Sequence, residues 1–281
     1  MKPPTLHTKL FLDSGDPKET RAVLDILGFL DGQTTNPSLI SKNPETAGKK
    51  FSTAELLFFY RNVVQEIAGL IPQGSVSVEV YADSTTRAEE MVEQGREMFS
   101  WIPNAHIKFP TSREGLKAAA VAVKEGMRVN MTLCFTQEQA AAVYAATKGA
   151  KKGDVFVSPF VGRLDDRGEN GMQLISNILK MYKQGDGHVE VLTASVRGMG
   201  HVLGALNMGS DIITAPATIL KEWAEQGMPL VEDNKLQDEA LAPIAFKEIN
   251  SEQSWENFDI SHELTDNGMK RFSEDWNNLL R

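Results

Sequence analysis

Lys108 stands near the end of the short run His106-Ile107-Lys108-Phe109, with apolar neighbours on both sides and the turn Pro110-Thr111-Ser112 after the run. Burying an ammonium without a partner is costly. A lysine in that place is therefore either paired or put to chemical use. Other apolar runs also end in hydrophilic side chains. Asp13 ends KLFLD, Asn36 ends GQTTN, Glu79 lies in VSVEV, Asn130 and Thr132 lie in VNMTL, Ser158 lies in VFVSPF, and Ser195 and Arg197 close EVLTASVR. Residues two apart share a strand face, so Asn130 pairs with Thr132 and Ser195 with Arg197. Amines, carboxylates and hydroxyls are the groups of acid–base and covalent chemistry on a polar substrate. Each residue also has an ordinary reading. Asp13 could cap the helix after SGDP, Asn36 could be a turn residue before Pro37, and Glu79 and Lys108 could form a structural ion pair. Packing alone accounts poorly for all of them together.

The elements that must carry these residues alternate. Strands are expected over 9–13, 32–36, 76–80, 106–109, 129–133, 155–160, 190–195 and 211–215. Helices are expected over 17–28, 53–70, 84–100, 112–125, 136–148, 169–184, 198–208 and 216–226. One supporting stripe is Leu56, Phe59, Tyr60, Val63, Val64 and Ile67, at helical spacing. Alternating β and α units imply a parallel sheet. Eight units within residues 1–227 imply an α/β fold, a single closed (β/α)8 TIM barrel whose strand ends form a rim for chemistry. The rival is an open doubly wound sheet. Against it, no G-x-G-x-x-G follows the first strand, and RGMGHVLG breaks the dinucleotide pattern at Leu203. Residues 228–281 read as a C-terminal extension. Its final helix, over 265–281, carries an apolar stripe of Met269, Phe272, Trp276 and Leu279 that must pack on this barrel or on a neighbouring subunit.

Composition narrows the class. A net charge of −9 argues against nucleic-acid or membrane partners. The single cysteine, Cys134, leaves no internal disulfide and suits a reducing compartment. The first residues lack a secretory apolar core, and no run approaches a membrane span, so a cytoplasmic location is expected. His7, His106, His188, His201 and His262 form no ligand spacing with carboxylates or Cys134, so no metal is expected.

At this point the sequence resembles the transaldolase family, the Schiff-base-forming transaldolase and fructose-6-phosphate aldolase group. DGQTTNPSLI (31–40) resembles its second-strand signature. IKFP followed by EGLKA resembles the segment carrying its Schiff-base lysine. VNMTLCF, VSPFVGRLDD and LTASVRG resemble its fifth-, sixth- and seventh-strand segments. The likeness runs from about residue 9 to 226, and more weakly through LTDNGMKRF and DW in the tail. It implies a transaldolase-type barrel that needs no cofactor and acts on small sugar phosphates; a homo-oligomer is also expected, but its size does not carry over from the resemblance.

The resemblance also implies roles. Lys108 forms an iminium with a ketose carbonyl, using the neutral amine that a buried site favours. Asp13 takes and returns the C4 hydroxyl proton. Glu79 and Thr132 hold the water that shuttles protons. Asn36, Asn130 and Ser158 bind the dihydroxyacetone part, and Arg163, Ser195 and Arg197 bind the terminal phosphate. The group's aldolase branch carries glutamine at the third-strand position and tyrosine two residues after the sixth-strand serine; Glu79 and Phe160 here are the transferase pair. Expected, then, is transfer of a dihydroxyacetone unit from fructose 6-phosphate or sedoheptulose 7-phosphate to an aldose phosphate. The alternatives are an aldolase releasing free dihydroxyacetone, an enzyme for sulfonated sugars, and a non-catalytic binding barrel. His106 should face the interior one layer below Lys108, as a core histidine or a group tuning the lysine. Tyr81 stands where classical transaldolases carry an acidic residue.

Overall fold

The computed structural model describes residues 2–230 and 240–281. Eight parallel strands close a barrel in sequence order. They are β1 (Lys9–Asp13), β2 (Gly32–Thr34), β3 (Ser75–Glu79), β4 (Ala105–Pro110), β5 (Val129–Cys134), β6 (Val155–Pro159), β7 (Val189–Thr193) and β8 (Ile212–Ala215). The helices are α1 (Pro17–Leu27), α2 (Pro37–Ser41), α3 (Thr53–Leu70), α4 (Ala88–Phe99), α5 (Arg113–Lys124), α6 (Gln137–Ala146), α7 (Val161–Asp165), α8 (Gly171–Tyr182), α9 (Met199–Met208), α10 (Ala217–Glu225) and α11 (Glu263–Asn277). Side-chain caps start most of the long ones. Ser52 and Glu55 form a capping box on α3, and Thr136 and Gln139 form one on α6.

The barrel interior is packed. The Phe156 ring meets Phe11 edge-on at 6.0 Å and stacks on His106 at 4.1 Å. His106 hydrogen-bonds Ser75 Oγ at 2.7 Å and the Gly153 carbonyl at 2.9 Å, so it is a satisfied core histidine below Lys108. Register puts Glu79 opposite Lys108 and Lys108 opposite Asn130, three neighbours at one level of the rim.

Two strands stop two residues earlier than the sequence pattern suggests, each because a short helix takes over the backbone. β2 ends at Thr34, because Asn36 turns away and caps α2, its Oδ1 accepting the Leu39 N–H at 2.9 Å. β7 ends at Thr193, because the backbone of α7 takes over: the N–H groups of Val161 and Gly162 donate to the carbonyls of Ala194 (3.0 Å) and Ser195 (3.1 Å). Ser195 has φ 59°, so Ser195 and Arg197 lie on a turn and share no strand face. A Cβ on Gly162 would fall 2.2 Å from the Ser195 carbonyl, which makes that close approach possible only with glycine. At five residues each, α2 and α7 are too short to show a helical period, and the sequence does not announce them.

Residues beyond 240 run across α8 and α6 to the barrel mouth. The Ile244 N–H donates to Gln173 Oε1, and the Lys247 backbone exchanges hydrogen bonds with the Gln137 amide. The terminal helix begins at Glu263, two residues earlier than its pattern suggests, because His262 Nδ1 caps it by accepting the Leu264 N–H. α11 then packs on α2 and the end of β5. Thr265 donates to the Leu133 carbonyl at 3.0 Å, and the buried Gln139 amide donates to Thr265 at 2.8 Å. Met269, Phe272, Trp276 and Leu279 are buried against this same chain. Among the described residues no helix is long and apolar enough to cross a membrane.

Candidate active site

A cavity of about 480 Å³ opens at the C-terminal ends of the strands. Asp13, Asn36, Lys108, Ser158, Phe160, Arg163, Ser195 and Arg197 all line it. Glu79, Asn130 and Thr132 are not among its lining residues; Glu79 pairs with Lys108, and Asn130 accepts from Ser158, both of which line it.

Lys108 is only 3% exposed. Its Nζ donates to the Thr35 carbonyl at 3.2 Å and lies 3.0 Å from Glu79 Oε2, an ion pair without hydrogen-bond alignment. Burial pushes the Glu79 carboxyl above the ordinary range although Lys108 pulls it down. Asp13 is also raised; it sits deep enough in the cavity floor for desolvation to outweigh Lys108, the hydrogen bond from Thr34 and Lys42. Thr34 donates to Asp13 Oδ1 at 2.6 Å, so its own oxygen accepts from Thr214, also at 2.6 Å. Glu79 Oε2 and Thr132 Oγ1 are each buried without a hydrogen-bond partner, the condition in which a buried polar atom takes an ordered water. Asn130 is held from both ends, donating to Ser77 Oγ at 3.0 Å and accepting from Ser158 at 2.6 Å.

The other end of the cavity is cationic. The Arg163 guanidinium lies over the rings of Phe160 and Phe272 at 5.2 and 5.5 Å, the second supplied by α11. Burial, then the charges of Arg271 and Arg197, lower its proton affinity. Arg197 pairs with Asp166 at 2.9 Å, both side chains being more than half exposed. Its backbone N–H donates to His201 Nδ1 at 3.0 Å, and His201 Nε2 lies 2.6 Å from Asp165. Lys42 and Arg271 also line the cavity.

The sequence reading missed Thr34, Thr214, Lys42, Arg271 and Phe272 as cavity residues. Thr34 was findable, being two residues before Asn36 in a segment whose sequence pattern reads as one strand. Arg271 and Phe272 were not, because only the docking of α11 brings them to the rim. Tyr81 turns from the cavity, donating to Asp83 and accepting from Asn277 of α11. Among the described residues no cluster of His, Cys, Asp or Glu is placed to hold a metal ion.

A lysine and two carboxylates stand at the ends of parallel barrel strands, and four cationic side chains, Lys42, Arg163, Arg197 and Arg271, line the same cavity. The model of the transaldolase/fructose-6-phosphate aldolase family matches residues 10–281. The chain belongs to this enzyme family. It is 35% identical over 273 residues to a probable transaldolase of Dehalococcoides mccartyi, covering 97% of this chain and all of that one. It is 38% identical over 268 residues to a probable transaldolase of Cereibacter sphaeroides, covering 95% of each. Among solved structures, a member of the enolase superfamily from Salmonella Typhimurium aligns with a TM-score of 0.50 at 11% identity. That alignment covers 76% of this chain, which spans little more than half, 57%, of the other. It speaks for the barrel alone.

Proposed function

We propose that this family member is a transaldolase working through a Schiff base on Lys108. The observation that carries the reading is Lys108 held at the cavity floor between Glu79 and the Thr35 carbonyl, with Asp13 on the same floor and Arg163 and Arg197 on the same cavity wall. The amine adds to the ketose carbonyl, and the carbinolamine loses water to give an iminium. The iminium draws the electrons of the C3–C4 bond as Asp13 takes the C4 hydroxyl proton. A carboxylate whose proton affinity is raised by burial is a stronger base toward that hydroxyl than an ordinary one. The aldehyde leaves, and the enamine attacks the aldose phosphate that replaces it. A water between Glu79 and Thr132 carries protons while the iminium forms and breaks. Asn36 and Ser158 hold the dihydroxyacetone hydroxyls, with Asn130 fixing Ser158. Arg163, Ser195 and Arg197 take the phosphate, with Arg271 adding charge; the backbone at the start of α9 contributes N–H donors. The buried, unpaired Cys134 suits a reducing, cytoplasmic setting.

Borohydride added with fructose 6-phosphate should fix an adduct on the peptide containing Lys108, and Lys108→Met should fold but not turn over. Label on another lysine would overturn the assignment. An aldolase that releases free dihydroxyacetone is the second reading. Phe160 weighs against it: the ring lines the cavity and offers no hydroxyl to deliver a proton to the enamine. A panel of phosphorylated and sulfonated ketoses, with and without erythrose 4-phosphate, separates the substrate readings.

A further inference from the structure

Tyr60 lies on α3, fully buried, with its ring 5.8 Å from Trp101 and 6.0 Å from Trp276 of α11. Nothing in the reaction above uses it, yet its hydroxyl ends between the two strands that carry the site. The Tyr60 oxygen accepts the Glu79 N–H at 2.9 Å and lies 2.6 Å from Thr35 Oγ1. Thr35 Oγ1 spends its own proton on the Ser77 carbonyl at 2.7 Å. The proton between the two hydroxyls is therefore the tyrosine's, and the chain runs Glu79 N–H to Tyr60 to Thr35 to Ser77.

The parallel ladder shows what this chain replaces. Ser75 N–H donates to the Asp31 carbonyl, and Thr35 N–H donates to the Ser77 carbonyl. The next bond in that alternation runs from Glu79 N–H to the Thr35 carbonyl. It is not made. Tyr60 takes the Glu79 N–H instead, and the Thr35 carbonyl accepts Lys108 Nζ.

We propose that Tyr60 is a positioning residue for Lys108. By occupying one ladder donor, it frees the Thr35 carbonyl to hold the amine, and by bonding Thr35 Oγ1 it fixes where that carbonyl points. The idea rests on Lys108 being the Schiff-base lysine. It differs from ordinary core packing in its consequence. Without the hydroxyl, the ladder bond can close and satisfy Glu79 N–H, so stability is spared while Lys108 loses its acceptor.

The test is Tyr60→Phe in the full chain. The expected result is a kcat at least ten-fold lower, KM for fructose 6-phosphate within two-fold, borohydride trapping on Lys108 slowed in parallel with kcat, and a melting temperature within a few degrees of wild type. Thr35→Val breaks the same chain from the other end and should slow kcat similarly, whereas Thr35→Ser should restore it. Should Tyr60→Phe not fold, the two Thr35 variants decide alone. Wild-type kcat and trapping rate in folded Tyr60→Phe or Thr35→Val would sink the proposal, as would a loss that merely tracks the unfolded fraction. Failure of the wild type itself to trap on Lys108 is a separate result; it removes the transaldolase reading and this assignment with it.

Discussion

The proposed anion site turns on Arg163. It is packed between two aromatic faces, and its guanidinium faces a cavity lined by other cations, with no carboxylate in ion-pair contact among the described residues. Stacking on Phe160 and Phe272 keeps the fork in place while leaving its N–H donors for a ligand. Arg163→Gln should raise KM for phosphorylated ketoses roughly 30-fold, from the lower end of the ~2–5 kcal/mol lost when a buried charge pair is cut. Unphosphorylated ketoses should be nearly unaffected, and equal losses for both would remove Arg163 from the anion site. In the proposed mechanism Phe160 bears on the fate of the enamine. Phe160→Tyr should increase acceptor-free release of dihydroxyacetone relative to transfer, read as the ratio of the two rates with and without erythrose 4-phosphate.

At the scale of elements, β4 couples stability to pH through His106. Burial holds its imidazole down to about 3, against 6.5 for the free side chain. The unfolded chain therefore binds a proton that the folded chain refuses between those values, and stability falls as pH drops through that window. From pH 6.5 to 5 the loss is about 1.7 kcal/mol, the slope rising from half of ~1.4 kcal/mol per pH unit at 6.5 to nearly all of it at 5. His106→Gln should narrow the gap between melting temperatures at pH 7 and pH 5; an unchanged gap would assign the acid sensitivity elsewhere. The seat of α11 depends on Gly268. A Cβ there would come 2.6 Å from Leu133 Cδ2 and 2.8 Å from Arg163 Nη1. Gly268→Val should lower the melting temperature and raise KM for phosphorylated donors together, because one clash disturbs both the helix seat and the guanidinium.

At the scale of the whole molecule, the terminal segment finishes a site that the barrel begins. α11 supplies Phe272 and Arg271 to the cavity and covers Tyr60 with Trp276. A chain ending at His262 should lose soluble yield, since the barrel surface under Met269, Phe272, Trp276 and Leu279 would meet water, and any folded fraction should bind phosphorylated donors poorly. Retained kcat/KM in that truncation would show the barrel complete without the helix. The cations at the mouth also sit in a chain of net charge −9. Affinity for anions is thus local to the cavity, and inorganic phosphate should compete with phosphorylated donors while leaving kcat unchanged.

The barrel and its polar rim were legible in the sequence because both rest on local periodicity. Apolar runs alternating with amphipathic helices allow few closed arrangements, and a hydrophilic side chain at the end of such a run must be paired or used. Asp13, Glu79 and Lys108 could be read this way without any structure. Tertiary structure decided whatever depends on where strands stop and what covers them. Nothing local to Asn36 says that β2 ends two residues before it, and nothing local to Ser195 says that α7 will bend the chain after β7. The apolar stripe of α11 required a surface to bury it but could not name one; the docking on α2 and β5 chose this chain's own barrel and so delivered Arg271. Tyr60 is the sharpest case. By period it is one more core residue of α3, and only strand register shows that its hydroxyl stands in for a ladder bond beside Lys108. Side-chain period is set by neighbours in the chain, whereas hydrogen-bond exchange between strands is set by partners many residues away, so the sequence carries the first and folding alone fixes the second.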